Sequence, residues 1–108
     1  MDKMSSRDYE IAMRLKKRLS EFVQIIELIV FGSRARGDPD EYSDMDVFVK
    51  VAYLDNEIKE RISDVVWEVG FESFMFISPL ICSKEEAENT PLRSAPIIKN
   101  IAEQGVSI

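Results

Sequence analysis

The stretch from Val30 to Val49, VFGSRARGDPDEYSDMDVFV, constrains this chain more than any other. A Gly-Ser pair, Gly32-Ser33, is followed after ten residues by two carboxylates on alternate positions, Asp44 and Asp46. An apolar run, IIELIVF, leads into it, and a second, VFVKV, leads out. The pattern reads as strand, tight glycine turn, then a strand carrying two acids. Residues two apart on a strand share a face. Asp44 and Asp46 therefore lie side by side, while Met45 and Val47 point the other way into a core.

Two adjacent carboxylates repel each other. Their oxygens suit a hard cation such as Mg2+, which prefers carboxylate, water and phosphate ligands. Gly32 lacks a Cβ, so an anion can approach its backbone closely, and it can take φ > 0 in a tight turn. Ser33 adds a hydroxyl donor. The RAR segment after it can form a short helical turn whose free N–H groups face the same anion. Such a site can hold a nucleoside triphosphate with its magnesium.

This stretch resembles the nucleotidyltransferase superfamily related to DNA polymerase β, most closely its minimal members, the small MNT proteins often paired with HEPN proteins. Their signature, GSxARGxxxxxSDxDxxV, is met by Gly32, Ser33, Ala35, Arg36, Gly37, Ser43, Asp44, Asp46 and Val49. The resemblance covers nearly the whole chain, including the C-terminal SPLICSKEEAENTPLRSAPIIKNIAEQGVSI. It implies transfer of a nucleoside monophosphate from an NTP, ATP first, with Mg2+, to an acceptor hydroxyl, a tyrosine of a HEPN toxin being one candidate. It assigns Asp44 and Asp46 as catalytic and metal-binding, and Gly32, Ser33, Arg36 and Ser43 as nucleotide-binding. The family normally has a third carboxylate on a later strand. Here the run FMFISPLIC places Ser78 at that position, and Glu72 is the nearest acid. A serine is a poor metal ligand and a poor base at neutral pH. A catalytically weakened, partner-binding antitoxin module is therefore the first alternative. A small-molecule nucleotidyltransferase is the second, with a homodimer supplying the missing acceptor wall.

Each residue also has a plainer reading. Gly32 can simply end a strand, and the two acids can be solvated. Ser43 can be only a turn residue. Arg34 and Arg36 can be surface charges, with Arg36 favoured as a brace for the acidic loop through an Asp. Asp38, Asp40 and Glu41 read as solvated loop residues. Phe71, Phe74 and Phe76 read as core or partner surface, and Trp67 as a part-buried core residue.

The 108 residues suit one domain with a modest core. A formal charge of −6 argues against generic binding to nucleic-acid backbones, which needs clustered Lys and Arg. The absence of His excludes His triads and His metal sites, and the single Cys82, in an apolar run, reads as a buried, unreactive thiol. The polar N-terminus lacks a signal segment, and no apolar run approaches the ~18 residues of a membrane span. The simplest location is cytoplasmic.

The periodicity predicts alternating helices and strands: a helix from Ser5 or Ser6 to about Phe22, with Ile11, Leu15 and Leu19 inward; a strand over Ile25–Phe31; a loop from Arg34 to Glu41; and a strand over Asp44–Val51. A helix from about Asp55 to Val69, stopped by Gly70, buries Ile58, Ile62, Val65, Val66 and Val69. A strand over Phe74–Cys82 follows, held to an edge or a bulge by Pro79. Ser83 and Glu86 form a capping-box pattern. A last helix runs from about Pro91 to Gln104, burying Ile97, Ile98 and Ile101 and ending at Gly105. The fold class is α/β (α+β): a small mixed sheet flanked by helices, as in polymerase β-like nucleotidyltransferases.

Overall fold

A computed structural model of the chain describes residues 4–40 and 42–108. The expectation for Glu41 and for the first three residues of the polar N-terminus lies outside the described residues. The elements are α1 (Ser6–Leu19), β1 (Ile25–Phe31), α2 (Ser33–Arg36), β2 (Met45–Val51), α3 (Asn56–Glu72), β3 (Ile77–Ser83), α4 (Lys84–Asn89), a 3₁₀ turn (Pro91–Ser94), α5 (Pro96–Gln104) and β4 (Val106–Ser107). The strands form one mixed sheet in the order β3-β2-β1-β4. β1 pairs antiparallel with β2 and β4, while β2 and β3 run parallel across the α3 crossover.

Strand alternation divides the sheet into two faces. Met45, Val47, Val49 and Val51 are fully buried on one face. They pack with Ile11, Leu15 and Leu19 of α1 and with Ile62, Val66 and Val69 of α3. Phe48 points to the other face, against Cys82, Ala87 of α4 and Ile101 of α5. Asp46 shares that second face, at the end of β2 that α4 and α5 leave open.

The caps follow their sequence signals. Ser5 Oγ accepts from the Asp8 N–H, and Asp55 caps α3 by accepting from the Ile58 N–H. Ser83 and Glu86 form the reciprocal capping box of α4. Pro79 sits on the edge strand β3, where its missing N–H costs no ladder bond.

Several boundaries differ from those the sequence suggests, each for a local reason. α1 ends at Leu19, short of Phe22, and β2 starts at Met45, just after Asp44. Within the expected loop, the short helical turn that the RAR segment allows is present as α2, which begins at Ser33. α3 runs through Gly70 to Glu72. Gly70 is needed there for another purpose: the Met75 carbonyl lies 2.5 Å from where a Cβ would stand, and the Met75 N–H donates to the Gly70 carbonyl. Phe74 takes φ 52°, which no extended strand accommodates, so β3 starts at Ile77. Pro96 divides the last helix. It lacks an N–H and forces Ala95 out of the helical region, to ψ 140°. The rotation this imposes leaves Ile97 exposed while Ile98 and Ile101 face the second core.

Candidate active site

Gly32 joins β1 to α2 with φ 75° and ψ −156°, a region essentially open only to glycine. A Cβ there would stand 2.6 Å from Asp46 Oδ2. The glycine turn is thus in direct contact with the second acid. Phe31, the last residue of β1, pairs with Asp46, so sheet register sets this approach.

Across β2 the register places Ser78 beside Asp46, and Ser78 Oγ donates to Asp44 Oδ2 at 3.2 Å. The two acids and Ser78 therefore form one cluster at the open end of β2. Burial, and after it the charge of Asp44, raises the Asp46 carboxyl above the usual carboxylate range. Glu72, the other acid considered from the sequence, lies in the last turn of α3 and is held by Arg18 at 2.6 Å. Among the described residues no three His, Cys, Asp or Glu side chains gather as a ready-made metal cage.

A divalent hard cation fits this donor set. Two neighbouring carboxylates offer oxygen ligands and negative charge, and the Cβ-free turn leaves room for phosphate oxygens beside Asp46. Such an ion would take its remaining ligands from phosphate and water, as Mg2+ commonly does.

Ser43 Oγ accepts from the Asp40 N–H at 3.0 Å and donates to Asp40 Oδ1 at 3.2 Å. Asp40 also accepts from the Tyr42 N–H, so it shapes the turn and is more than a solvated acid. Arg36 Nε lies 3.6 Å from Asp38 Oδ1, a loose, exposed pair of the bracing kind. Ser33 begins α2 directly after Gly32.

Arg34 is not a surface charge. Its guanidinium is buried: Nη1 donates to both carboxylate oxygens of Asp8 at 2.9 and 3.1 Å, and Nε donates to the Ser43 carbonyl at 3.0 Å. The sequence offers little to reveal this. Asp8 lies 26 residues upstream, where an acid in a first helical turn reads as a dipole partner.

Of the aromatic residues, Trp67 departs from its part-buried reading, while Phe71, Phe74 and Phe76 take the surface alternative rather than the core one. Trp67 is 66% exposed, and Phe71, Phe74 and Phe76 are exposed with it. With Val66, Gly70, Met75 and Ile77 they line an open groove of about 340 Å³. Its Phe76 is joined to the start of β2 through the backbone, where the Phe76 carbonyl accepts from the Met45 N–H. Cys82 is buried, as its apolar run implies.

Comparison with known proteins places this geometry. The family model for the nucleotidyltransferase domain matches residues 12–106. The chain is 35% identical over 78 residues to "Putative protein adenylyltransferase MJ0141" of Methanocaldococcus jannaschii, covering 69% of this chain and 79% of that protein. Among solved structures, two mutant forms of the toxin–antitoxin MntA–HpeT complex share the fold. One, with a pair of Asp→Glu substitutions, matches at TM-score 0.59 and 17% identity, covering 95% of this chain and 72% of that one. The other, with a Tyr→Ala substitution, matches at TM-score 0.59 and 19% identity, covering 94% and 70%. With its Gly-Ser turn packed on an Asp-x-Asp strand, the chain belongs to the nucleotidyltransferase domain family and shares the fold found in the MntA–HpeT structures.

Proposed function

We propose that this chain is a minimal, single-domain nucleotidyltransferase that moves a nucleoside monophosphate from ATP to a hydroxyl on a partner protein. The observation that carries the reading is the contact of Gly32 with Asp46, which joins an anion-accepting turn to a pair of carboxylates. Gly32 and Ser33 would receive the β and γ phosphates, through the hydroxyl and the first N–H groups of α2, which lack partners within the helix. Asp44 and Asp46 would hold Mg2+, which when bound supplies charge neutralisation to the phosphates. Arg36 and Ser43 would steady the loop that bounds the site. The acceptor oxygen would attack the α-phosphorus, pyrophosphate would leave, and a new phosphoester bond would form. An adenylyltransferase relative and an MntA-like fold support a protein acceptor, with a tyrosine of a HEPN-type toxin as the first candidate and an antitoxin role to follow.

A second reading rests on Ser78. It stands beside Asp44 where relatives of this kind carry a third acid, and a neutral hydroxyl cannot take the acceptor's proton efficiently. The chain would then bind nucleotide and partner while transferring slowly. Ser78→Asp discriminates: a large gain in transfer favours this reading, and no gain removes it.

The deciding experiment follows label from α-labelled ATP with Mg2+ into proteins of a lysate of the source cells, comparing wild type with Asp44→Asn. A labelled band present only with Asp44 intact is the expected result, and it identifies the acceptor. Mg-ATP binding without any Asp44-dependent label would leave a nucleotide-binding module. Neither label nor binding would overturn both readings.

A further inference from the structure

We infer that Arg34 is a positioning residue that fixes the distance between the glycine turn and the acid pair, with Asp8 as its anchor. The inference rests on the site proposed above. Arg34 is the second residue of α2, one position after Ser33. Its Nε holds the carbonyl of Ser43, whose next residue is Asp44. Its Nη1 holds Asp8 in the first turn of α1. One planar group therefore ties three segments: the turn that would take the phosphates, the backbone that enters the acid strand, and a helix seated on the opposite face of the sheet.

The chemistry of the side chain suits this task. Guanidinium presents donors in a fixed fork, so the Asp8 bonds orient the Nε–H toward the Ser43 carbonyl. The ion pair is buried, with Asp8 only 2% exposed, so water does not compete for the carboxylate. Among the described residues, no other hydrogen bond runs from the Ser43 carbonyl to α2. Without Arg34, residues 43 and 44 would be tied to the glycine turn through sheet register, which begins at Met45, and through the exposed loop in which Ser43 bonds Asp40 and the Asp38 N–H donates to the Ser33 carbonyl.

Two variants separate positioning from stability. Asp8→Asn removes the anchor's charge but leaves an acceptor for Nη1 and leaves the Nε donor to Ser43. The double variant Asp8→Leu/Arg34→Met replaces the pair with apolar groups, an exchange that is often neutral for stability, and it removes the Ser43 bond. Thermal unfolding, Mg-ATP titration calorimetry and amide hydrogen exchange are read on both. The expected result is that Asp8→Asn lowers Tm at near-native affinity. The double variant should keep Tm but bind Mg-ATP on the order of 10- to 100-fold more weakly, the usual loss when a group supporting a ligand is removed. Its amides near residues 33–36 and 43–46 should lose protection while those of α3 do not. Affinity that follows Tm across both variants, or native affinity in the double variant, overturns the inference. If wild type binds no Mg-ATP, the proposed function fails separately, and exchange alone decides: unchanged protection at 33–36 and 43–46 then overturns positioning.

Discussion

At Gly32 a single hydrogen decides whether the site can form. Its φ of 75° and ψ of −156° would cost another residue about 1–3 kcal/mol. The Cβ of an alanine would also push against Asp46 Oδ2. Gly32→Ala should therefore destabilise the fold by about that amount in denaturant titration and displace the second acid. Its Mg-ATP affinity should fall more than its stability accounts for when measured well below Tm. Native affinity in a folded variant would disconnect the turn from the site. Cys82 makes a different residue-scale prediction. Burial raises its thiol from an ordinary 9.0 to about 11. Between those values the unfolded chain has lost the proton and the folded chain keeps it, so the unfolded state binds fewer protons. Stability contributed by this group is complete below pH 9 and declines toward pH 11, by up to about 1.4 kcal/mol per pH unit. Cys82→Ala should flatten that part of the stability–pH curve relative to wild type. The native thiol should also resist an alkylating reagent at pH 8, reacting only after unfolding.

At the scale of elements, legibility followed the range of the forces involved. β1 was readable to the residue, and the start of α3 at about Asp55 and the α4 capping box at Ser83 were readable because their signals are local. The acid pair and Gly32 were readable as residues because strand period and glycine chemistry act within a few positions. What escaped involves distant partners. Gly70 reads as a stop, yet it continues the helix because Met75 folds back onto it. Arg34 reads as exposed because nothing near it in sequence announces Asp8. β4 has only two residues and owes its existence to pairing with Ile29 and Val30. Helix α3 offers a quantitative test, since it is the crossover that sets the β2–β3 register and with it the place of Ser78. Asp55→Ala removes the bond to the Ile58 N–H and should cost about 1 kcal/mol. Its chemical denaturation midpoint should fall with an unchanged m-value, because the cap is remote from the core. A changed m-value would mean that the crossover frays as a unit.

The whole molecule presents an imbalance between its two ends. α1 and α3 bury one face of the sheet almost completely, while the C-terminal end of α3 and the segment after it leave Trp67, Phe71, Phe74 and Phe76 in solvent. Sequence alone could not separate this from a core, because composition counts apolar residues without saying which have neighbours. Phe74 makes the point most clearly. It is 95% exposed, so its ring returns almost no burial to the isolated chain, and it holds φ 52°. An L-residue in that left-handed region costs about 1 kcal/mol, whereas glycine there forfeits roughly half as much in chain entropy. Phe74→Gly should therefore stabilise the isolated chain by about 0.5 kcal/mol, raising Tm by about 2–4 °C. Trp67, the only tryptophan, supplies an internal check. Its emission should resemble that of free tryptophan in water and remain unchanged in Phe74→Gly, because the two rings do not stack; its partner is Phe71, at 6.4 Å. A fall in Tm would mean that Phe74 is packed in solution, and a blue-shifted wild-type emission would mean that the groove is covered there by protein. A rise in Tm with water-like emission would establish that this surface is held at a cost to the isolated chain.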